Sequence, residues 1–549
     1  MSVKLHFNGH TTDATKGHSL LTHAEDLGIP VPTSCNKNGK CKECVVEVIE
    51  GMEFLSQPGP EERHLKGSFR LSCCSRITTD EGSVRCHTMR RGTMRIERHA
   101  FELPVHGPKW KLDPAVTRDG DRILLDGEEI DRGTGPLHGL AIDLGTTTVV
   151  MRLLNLETGE VIADSSFENP QRFGGSDVMA RIQYDTEDRT KSLQRTLMGY
   201  LGRAIQEFPV DPRSIYEVVI AGNSTMRDMF FKLSVYTIGQ SPYQSITELE
   251  VASGARKTTS LSEAAKRLGL PIHPKARVYG MPIISGHVGA DAAACMLAVD
   301  IANEERVVAV MDIGTNTELI IGNRHKVLAA SCPAGPAFEG GQITFGMPGL
   351  PGAIEKVAID DDGTVHTRVI GDVAPEGMCG SGLVDVMSEL LRTGRMNALG
   401  RFEDASEFVV APSGDRPITF SESDVNALAQ AKGANVAGLQ IAVAEYGIRY
   451  SDLEVFYLAG GFGRHLNLES SKRIGLIPNI DAAKIVQVGN ASVEGACIAL
   501  LSRAKRVELE NLVRRVTHCR LETHPGFFDY FVEGCQFAPV GSTEEVAES

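Results

Sequence analysis

Six of the twelve cysteines in this 549-residue chain fall between Cys35 and Cys86, and that crowding constrains what residues 1–90 can become. Cys35, Cys41 and Cys44 are spaced C-x5-C-x2-C, and Cys73 follows after 28 intervening residues. A disulfide framework belongs to small secreted domains in oxidising compartments. Here Met1-Ser2-Val3-Lys4-Leu5-His6 shows no basic region followed by an apolar stretch, so no signal peptide is expected. No window of eighteen apolar residues occurs, so no membrane insertion is expected either. The expectation is a cytoplasmic protein whose thiols stay reduced and whose clustered cysteines bind metal.

The strand signals Lys4-Leu5-His6-Phe7 and Val45-Val46-Glu47-Val48-Ile49 flank this cluster. Two irons bridged by sulfide need four thiolates converging on one spot, three from a tight loop and a fourth from another strand. Asn36-Lys37-Asn38-Gly39-Lys40 is such a loop, and its N–H groups can donate to sulfides. Plant-type 2Fe–2S spacing is C-x4-C-x2-C, so this loop is one residue longer. A structural zinc site prefers paired C-x2-C knuckles, and only Cys41 and Cys44 form one. Reduced cysteines without metal fit four thiols at this spacing poorly. Cys35, Cys41, Cys44 and Cys73 are therefore the candidate ligands, with adjacent Cys74 an alternative fourth. Arg70-Leu71-Ser72-Cys73 resembles the Arg-Leu-Ala-Cys element of plant-type ferredoxins, which favours Cys73. Cys86 is read as structural.

A formal charge of −15 argues against nucleic acid or an anionic membrane surface as partner. ATP is not excluded, because backbone N–H groups and a metal can bind it without a basic patch. Residues 91–135 read as a linker with one short hairpin around Arg122-Ile123-Leu124-Leu125-Asp126-Gly127. The stretch around its start is basic (Arg90, Arg91, Arg95, Arg98), as an ordinary solvated face would be. From Gly139 the pattern changes to alternating strands and helices, with helical periodicity near 177–184 and 193–208. The last residues, 541–549, are polar and read as a disordered tail.

Asp143-Leu144-Gly145-Thr146-Thr147-Thr148 ends a buried strand in a carboxylate, a glycine and hydroxyls. Such a turn brings backbone close to phosphate, and the Asp can orient water around Mg2+. Alone the pattern is weak, but it recurs as Asp312-Ile313-Gly314-Thr315-Asn316-Thr317-Glu318, the mark of a duplicated half. A third element, Val455-Phe456-Tyr457-Leu458-Ala459-Gly460-Gly461-Phe462-Gly463, is an apolar strand entering a Gly-rich turn suited to adenosine. No G-x-x-x-x-G-K-[ST] sequence is present. The ordered trio resembles the two-lobed fold of sugar kinases, heat-shock chaperone ATPases, acetate kinases and actin. The small-residue stretches 286–294 and 489–496 match its two connecting helices.

A plant-type ferredoxin domain joined to an actin-like ATPase resembles the reductive activators of corrinoid proteins, over roughly residues 1–540. Further segments resemble that family: Asn169 to Val178, Ala221 to Met226, Ser331 to Gly340, Pro351 to Ile354 and Cys379 to Leu383. The resemblance implies a multidomain α/β protein: a β-grasp ferredoxin domain at 1–90, then actin-like parts at 136–305 and 306–540. Within the first part, 136–205 is a candidate separate middle domain. It implies a 2Fe–2S cluster, ATP and Mg2+ as cofactors, with Asp143 and Asp312 orienting water and metal. Gly145, Thr146, Thr147, Gly314, Thr315 and Asn316 go to phosphates and Mg2+, and Gly460, Gly461 and Gly463 to adenosine. It further implies a corrinoid protein of a methyltransferase system as client, an upstream low-potential reductant and a homodimer. The activity implied is return of cobalt(II) corrinoid to cobalt(I), coupled to ATP. Two other classes stay open: a redox-regulated small-molecule kinase, or an electron carrier with a non-hydrolysing docking module.

Overall fold

Val3, Leu5 and Phe7 are buried while Lys4 is exposed, the period of two expected of a half-buried strand. This strand, β1 (Val3–Phe7), turns through Asn8 and Gly9, both at positive φ, into β2 (His10–Ala14). With β3 (Val45–Glu50), β4 (Phe69–Leu71) and β5 (Ser83–Thr88) they form one sheet in the order β2-β1-β5-β3-β4. Helix α1 (Leu20–Asp26) is capped by Ser19, whose hydroxyl accepts from the Thr22 N–H. Leu20 and Ala24 on α1 pack with Val3, Leu5, Val46, Val48, Val84 and Cys86 in one core. This is the expected β-grasp, and Cys86 is a core residue in it. The computed structural model describes residues 3–89, 111–403, 406–412, 417–461 and 463–541.

Arg70 on β4 and Glu62 are both almost wholly buried, with Nε and Oε1 2.8 Å apart. Glu62 also accepts from the backbone N–H of Leu71 and Gly59, which ties β4 to the loop before it. Burial pushes the Glu62 carboxyl up, but Arg70 and the Leu71 N–H outweigh it and hold its pKa below the usual range. The pair therefore contributes stability above the unfolded-state pKa of about 4.3. That contribution is lost as pH falls through the lower folded value. Arg70→Met strands a buried carboxylate, so it is expected to destabilise the fold by about 3–5 kcal/mol, read by urea unfolding.

The stretch expected to be a linker is more ordered than that where it is described. β6 (Val116–Asp119), β7 (Arg122–Leu125) and β8 (Glu128–Arg132) make a three-stranded antiparallel meander. Its two-residue turns, Gly120-Asp121 and Asp126-Gly127, carry positive φ at Gly120 (62°), Asp126 (49°) and Gly127 (87°), as tight hairpins require. The expected hairpin around Arg122–Gly127 lies inside it. Arg90, Arg91, Arg95 and Arg98 lie outside the described residues, as does the tail after Gly541.

Beyond residue 135 the chain builds two sheets that share one five-stranded arrangement. The first consists of β9 (His138–Leu144), β10 (Thr148–Asn155), β11 (Val161–Glu168), β12 (Ile215–Gly222), β13 (Leu261–Ala264) and β14 (Arg277–Gly280). Its order is β11-β10-β9-β12-β14-β13, an antiparallel meander with β12 added parallel to β9 and β14 parallel to β12. Helices α2 (Val178–Glu187), α3 (Ser192–Gln206) and α4 (Ser224–Phe230) belong to it.

In the second, β15 (Val308–Asp312), β16 (Thr317–Gly322) and β17 (Val327–Cys332) form the meander. Next come β18 (Ala353–Ile359), β19 (Val365–Val369) and β20 (Gly377–Met378), then β21 (Glu407–Ala411) and β22 (Ile418–Ser421), as two small side sheets. β23 (Val455–Ala459) and β24 (Ile485–Gly489) extend the second sheet in parallel, and β25 (Val516–His518) closes its far edge. Its order, β24-β23-β15-β16-β17-β25, repeats the first over five strands; the sixth differs, β13 lying antiparallel beyond β14 and β25 parallel beside β17. The two sheets belong to different compact units. One unit comprises the N-terminal residues, Leu112–Met281 and Ala499–Arg503; the other comprises Pro282–Ile498 and the chain from Ala504. The small-residue stretches 286–294 and 489–496 fall on or beside helices Ala290–Ala298 and Ala491–Leu501. Among the described residues no helix is long and apolar enough to cross a membrane.

Candidate functional site

The loop between α1 and β3 curls because Asn36, Lys37, Gly39 and Lys42 all take positive φ. Curled this way, it turns successive backbone N–H groups inward. Burial pushes the Cys35 thiol up, but the N–H and thiol of Cys41 and the N–H groups of Asn38 and Lys40 prevail and bring it to about 7. Cys35 and Cys41 thus form one thiol pair. Cys44 Sγ and Cys73 Sγ, 3.3 Å apart, form a second. The bond to the Cys73 thiol lowers the Cys44 thiol against burial, and the same bond and burial raise Cys73. Cys35 lies within electrostatic reach of Cys44.

Among the described residues no group of three or more His, Cys, Asp or Glu is gathered tightly enough to hold a single metal ion. Two thiol pairs with N–H groups directed at sulfur nevertheless have the donor chemistry of a 2Fe–2S site, in which each iron takes two thiolates. Cys74 Sγ lies 3.7 Å from Cys73 Sγ and close against Gly39. Of the two neighbours, Cys73 is the one paired with Cys44.

The first Asp-x-Gly turn leaves β9, where Asp143 pairs with Val150 on β10 and Ala221 on β12. The Gly145 N–H donates to Thr148 O, and a Cβ on Gly145 would lie 2.6 Å from that oxygen. Two residues not assigned from the sequence hold the turn. Asn169 donates its side-chain N–H to Gly145 O and its backbone N–H to Thr147 O. Asn223 Nδ2 donates to Thr146 Oγ1 at 2.9 Å.

The second turn leaves β15, where Asp312 pairs with Glu318 on β16 and Ala459 on β23. Cys295 Sγ donates to Asp312 Oδ2 at 3.2 Å, Thr315 Oγ1 donates to Glu339, and the Gly335 N–H donates to Thr315 O. Glu318 is buried, accepts from Ser331 Oγ at 2.9 Å, and has its second oxygen without a partner. Burial, Asp291 and Asp312 raise its pKa.

Gly460, at φ 107°, presses on this turn: a Cβ there would lie 2.4 Å from Ile313 O and 3.2 Å from Asp312 Oδ1. Gly222, at φ 143°, presses in the same way on Leu144 O at the first turn. The echo of the two Asp-x-Gly sequences therefore extends to Ala221-Gly222 and Ala459-Gly460. Gly461 faces open space, and Gly463 is held by its N–H bond to Gly460 O and by Gln487 Nε2 on its carbonyl. Gly460, Gly461, Gly463, Gly314, Thr315 and Asn316 thus belong with Asp312 in one unit. Asp143, Gly145, Thr146 and Thr147 belong to the other.

Three family profiles match. One is the 2Fe-2S iron-sulfur cluster binding domain, over residues 4–78. The others are the RACo middle region, over 138–304, and the C-terminal domain of RACo, described as the ASKHA domain, over 306–546. The chain belongs to the RACo family. This RACo chain is 28% identical to the corrinoid activation enzyme RamQ of Eubacterium limosum, over 93% of its own length and 95% of the relative's. It is 24% identical to a Co(II) methylated amine-specific corrinoid protein reductase of Methanosarcina barkeri, over 72% and 76% of the two chains. A solved structure of a reductive activator for corrinoid, iron-sulfur protein superposes with a TM-score of 0.72, at 27% identity and 98% coverage of both chains. In the RACo chain the N-terminal domain is thus of the 2Fe–2S type and the C-terminal domain of the actin-like type.

Proposed function

We propose that this chain is an ATP-dependent reductive activator of corrinoid proteins, a cytoplasmic iron–sulfur reductase that returns cobalt(II) to cobalt(I). The observation that carries the reading is the presence on one chain of two thiol pairs in a ferredoxin-type loop and two copies of the Asp-x-Gly hairpin. The names of the relatives, which act on corrinoid proteins, support it. Cys35, Cys41, Cys44 and Cys73 would hold the cluster, which when bound supplies a one-electron carrier near −400 mV, about the value typical of plant-type centres. Each ~59 mV of uphill one-electron transfer costs a factor of ten, so a lower-lying cobalt couple needs assistance.

Asp143 and Asp312 orient water and Mg2+; Thr146, Thr147, Thr315 and Asn316, with Gly145 and Gly314, receive the phosphates. Gly460, Gly461 and Gly463 face the adenosine. Phosphoryl transfer to water depends on such positioning and needs no covalent nucleophile. Closure of an actin-like module on ATP then changes the client's conformation or the lifetime of the complex. An upstream low-potential reductant reloads the chain, and a homodimer is the expected assembly. The reading predicts ADP release without a phosphorylated acceptor, stimulated by a cobalt(II) corrinoid protein and measured by coupled assay. A phosphorylated small molecule in its place would establish the kinase alternative.

A further inference from the structure

Helix α3 of the middle region grips the thiol-bearing loop by its backbone. Arg195 donates to Lys40 O at 2.9 Å, Thr196 Oγ1 to Lys42 O at 2.8 Å, and Tyr200 OH to Val45 O at 3.1 Å. Those three carbonyls bracket Cys41 and Cys44 in sequence. Gly199, on the same helix, lets the loop approach: a Cβ there would lie 2.6 Å from Glu43 Cγ and 3.1 Å from Glu43 Cβ. Cys44, Cys73, Val45 and Leu71 share one buried cluster with Leu193, Leu197 and Tyr200 of α3. Thr196, Tyr200 and Cys44 are all wholly buried. A second grip comes from α2, where Tyr184 OH donates to His64 O at 2.7 Å.

The contact is asymmetric. The Cys44–Cys73 pair is sealed against α3, whereas Cys35 is partly accessible and Asn36, Lys37, Asn38 and Lys40 around it are exposed. An ordinary packing contact needs apolar surface only. Here three side-chain donors, from one helical stretch of six residues, are spent on carbonyls adjoining two thiols.

We propose that α3 is a positioning element for the redox loop: Arg195, Thr196 and Tyr200 fix its path, keep Cys41, Cys44 and Cys73 buried and leave the Cys35 side as the edge for electron transfer. The proposal rests on the reading that this loop holds the cluster. Holding the carbonyls from outside keeps the N–H groups turned toward sulfur. The Arg195 guanidinium also adds positive charge at the Lys40 carbonyl, one residue before Cys41, which favours the more negative, reduced state of a bound centre.

Two measurements on the full chain test it, one without metal. In the cluster-free, reduced chain, the double variant Thr196→Val/Tyr200→Phe is expected to speed alkylation of Cys44 and Cys73 at least tenfold, read by peptide mass spectrometry. Thr196→Ser, which keeps the hydroxyl, is expected to react like the parent and serves as the control for folding. In the loaded chain, Arg195→Met is expected to lower the reduced-to-oxidised ratio at a given potential tenfold, a midpoint about 59 mV more negative. Arg195→Lys is expected to restore most of that shift. Alkylation unchanged in the double variant, or a midpoint in Arg195→Met equal to the parent's, would overturn the proposal. A chain that takes up no iron and sulfide in any form would refute the cluster reading instead, and the metal-free alkylation rates would still judge the grip of α3.

Discussion

Asp312→Asn is expected to reduce ATP-dependent activation by at least ~10²-fold, the scale on which loss of one preorganised electrostatic group slows catalysis, while leaving the visible spectrum of the cluster unchanged. Asp312 ends β15, is backed by Gly460, and accepts from Cys295. Asparagine keeps its size and one acceptor oxygen but removes the charge that would order Mg2+ and water. It also removes a like charge beside Asp291 and the buried Glu318, and urea unfolding of the variant separates loss of activity from loss of fold. The measurement is ADP release alongside the visible spectrum of the same sample. Normal ATP-dependent activation in this variant would remove Asp312 from the reaction.

The second large effect separates two adjacent cysteines. Cys73→Ala is expected to weaken cluster retention more than about 100-fold, beyond what loss of an outer-shell contact costs, because Cys73 is the partner of Cys44 in the second thiol pair. Cys74→Ala is expected to retain the cluster, since Cys74 is paired with neither Cys35 nor Cys44 in the structure and rests against Gly39. Iron and sulfide content after anaerobic reconstitution reads both. The reverse pattern would make Cys74 the fourth ligand.

The local signals of the sequence were legible where one residue type has few uses. C-x5-C-x2-C announced a thiol-lined loop, and alternation in Lys4–Phe7 announced β1. The Asp-x-Gly echo announced a duplicated sheet, and the duplication is topological as well as local. What stayed hidden depends on contacts across the chain. Asn169 and Asn223 lie 24 and 77 residues from the turn residues they hold; both fall in segments that resemble the family, but no short-range pattern gives them this role. A cue was present in Val219-Ile220-Ala221-Gly222 against Tyr457-Leu458-Ala459-Gly460, whose matching Ala-Gly ends show that Gly222 and Gly460 do the same job. Residues 116–132 read as a linker because their strands are four to five residues long and the two outer ones are mostly polar. The turns at Gly120 and Asp126-Gly127 decide that stretch. The grip of α3 was invisible for a different reason: Thr196, Gly199 and Tyr200 look like ordinary helix residues until the loop lies against them.

The most direct test mixes a cobalt(II) corrinoid protein anaerobically with this chain, a low-potential reductant and Mg-ATP, and follows the visible spectrum. Loss of the cobalt(II) band and growth of a cobalt(I) band are expected only when ATP is present. Cobalt(I) formed equally well without ATP, or a reduced cluster and consumed ATP beside an unchanged corrinoid drawn from the methyltransferase system of the same cell, would contradict the proposed function.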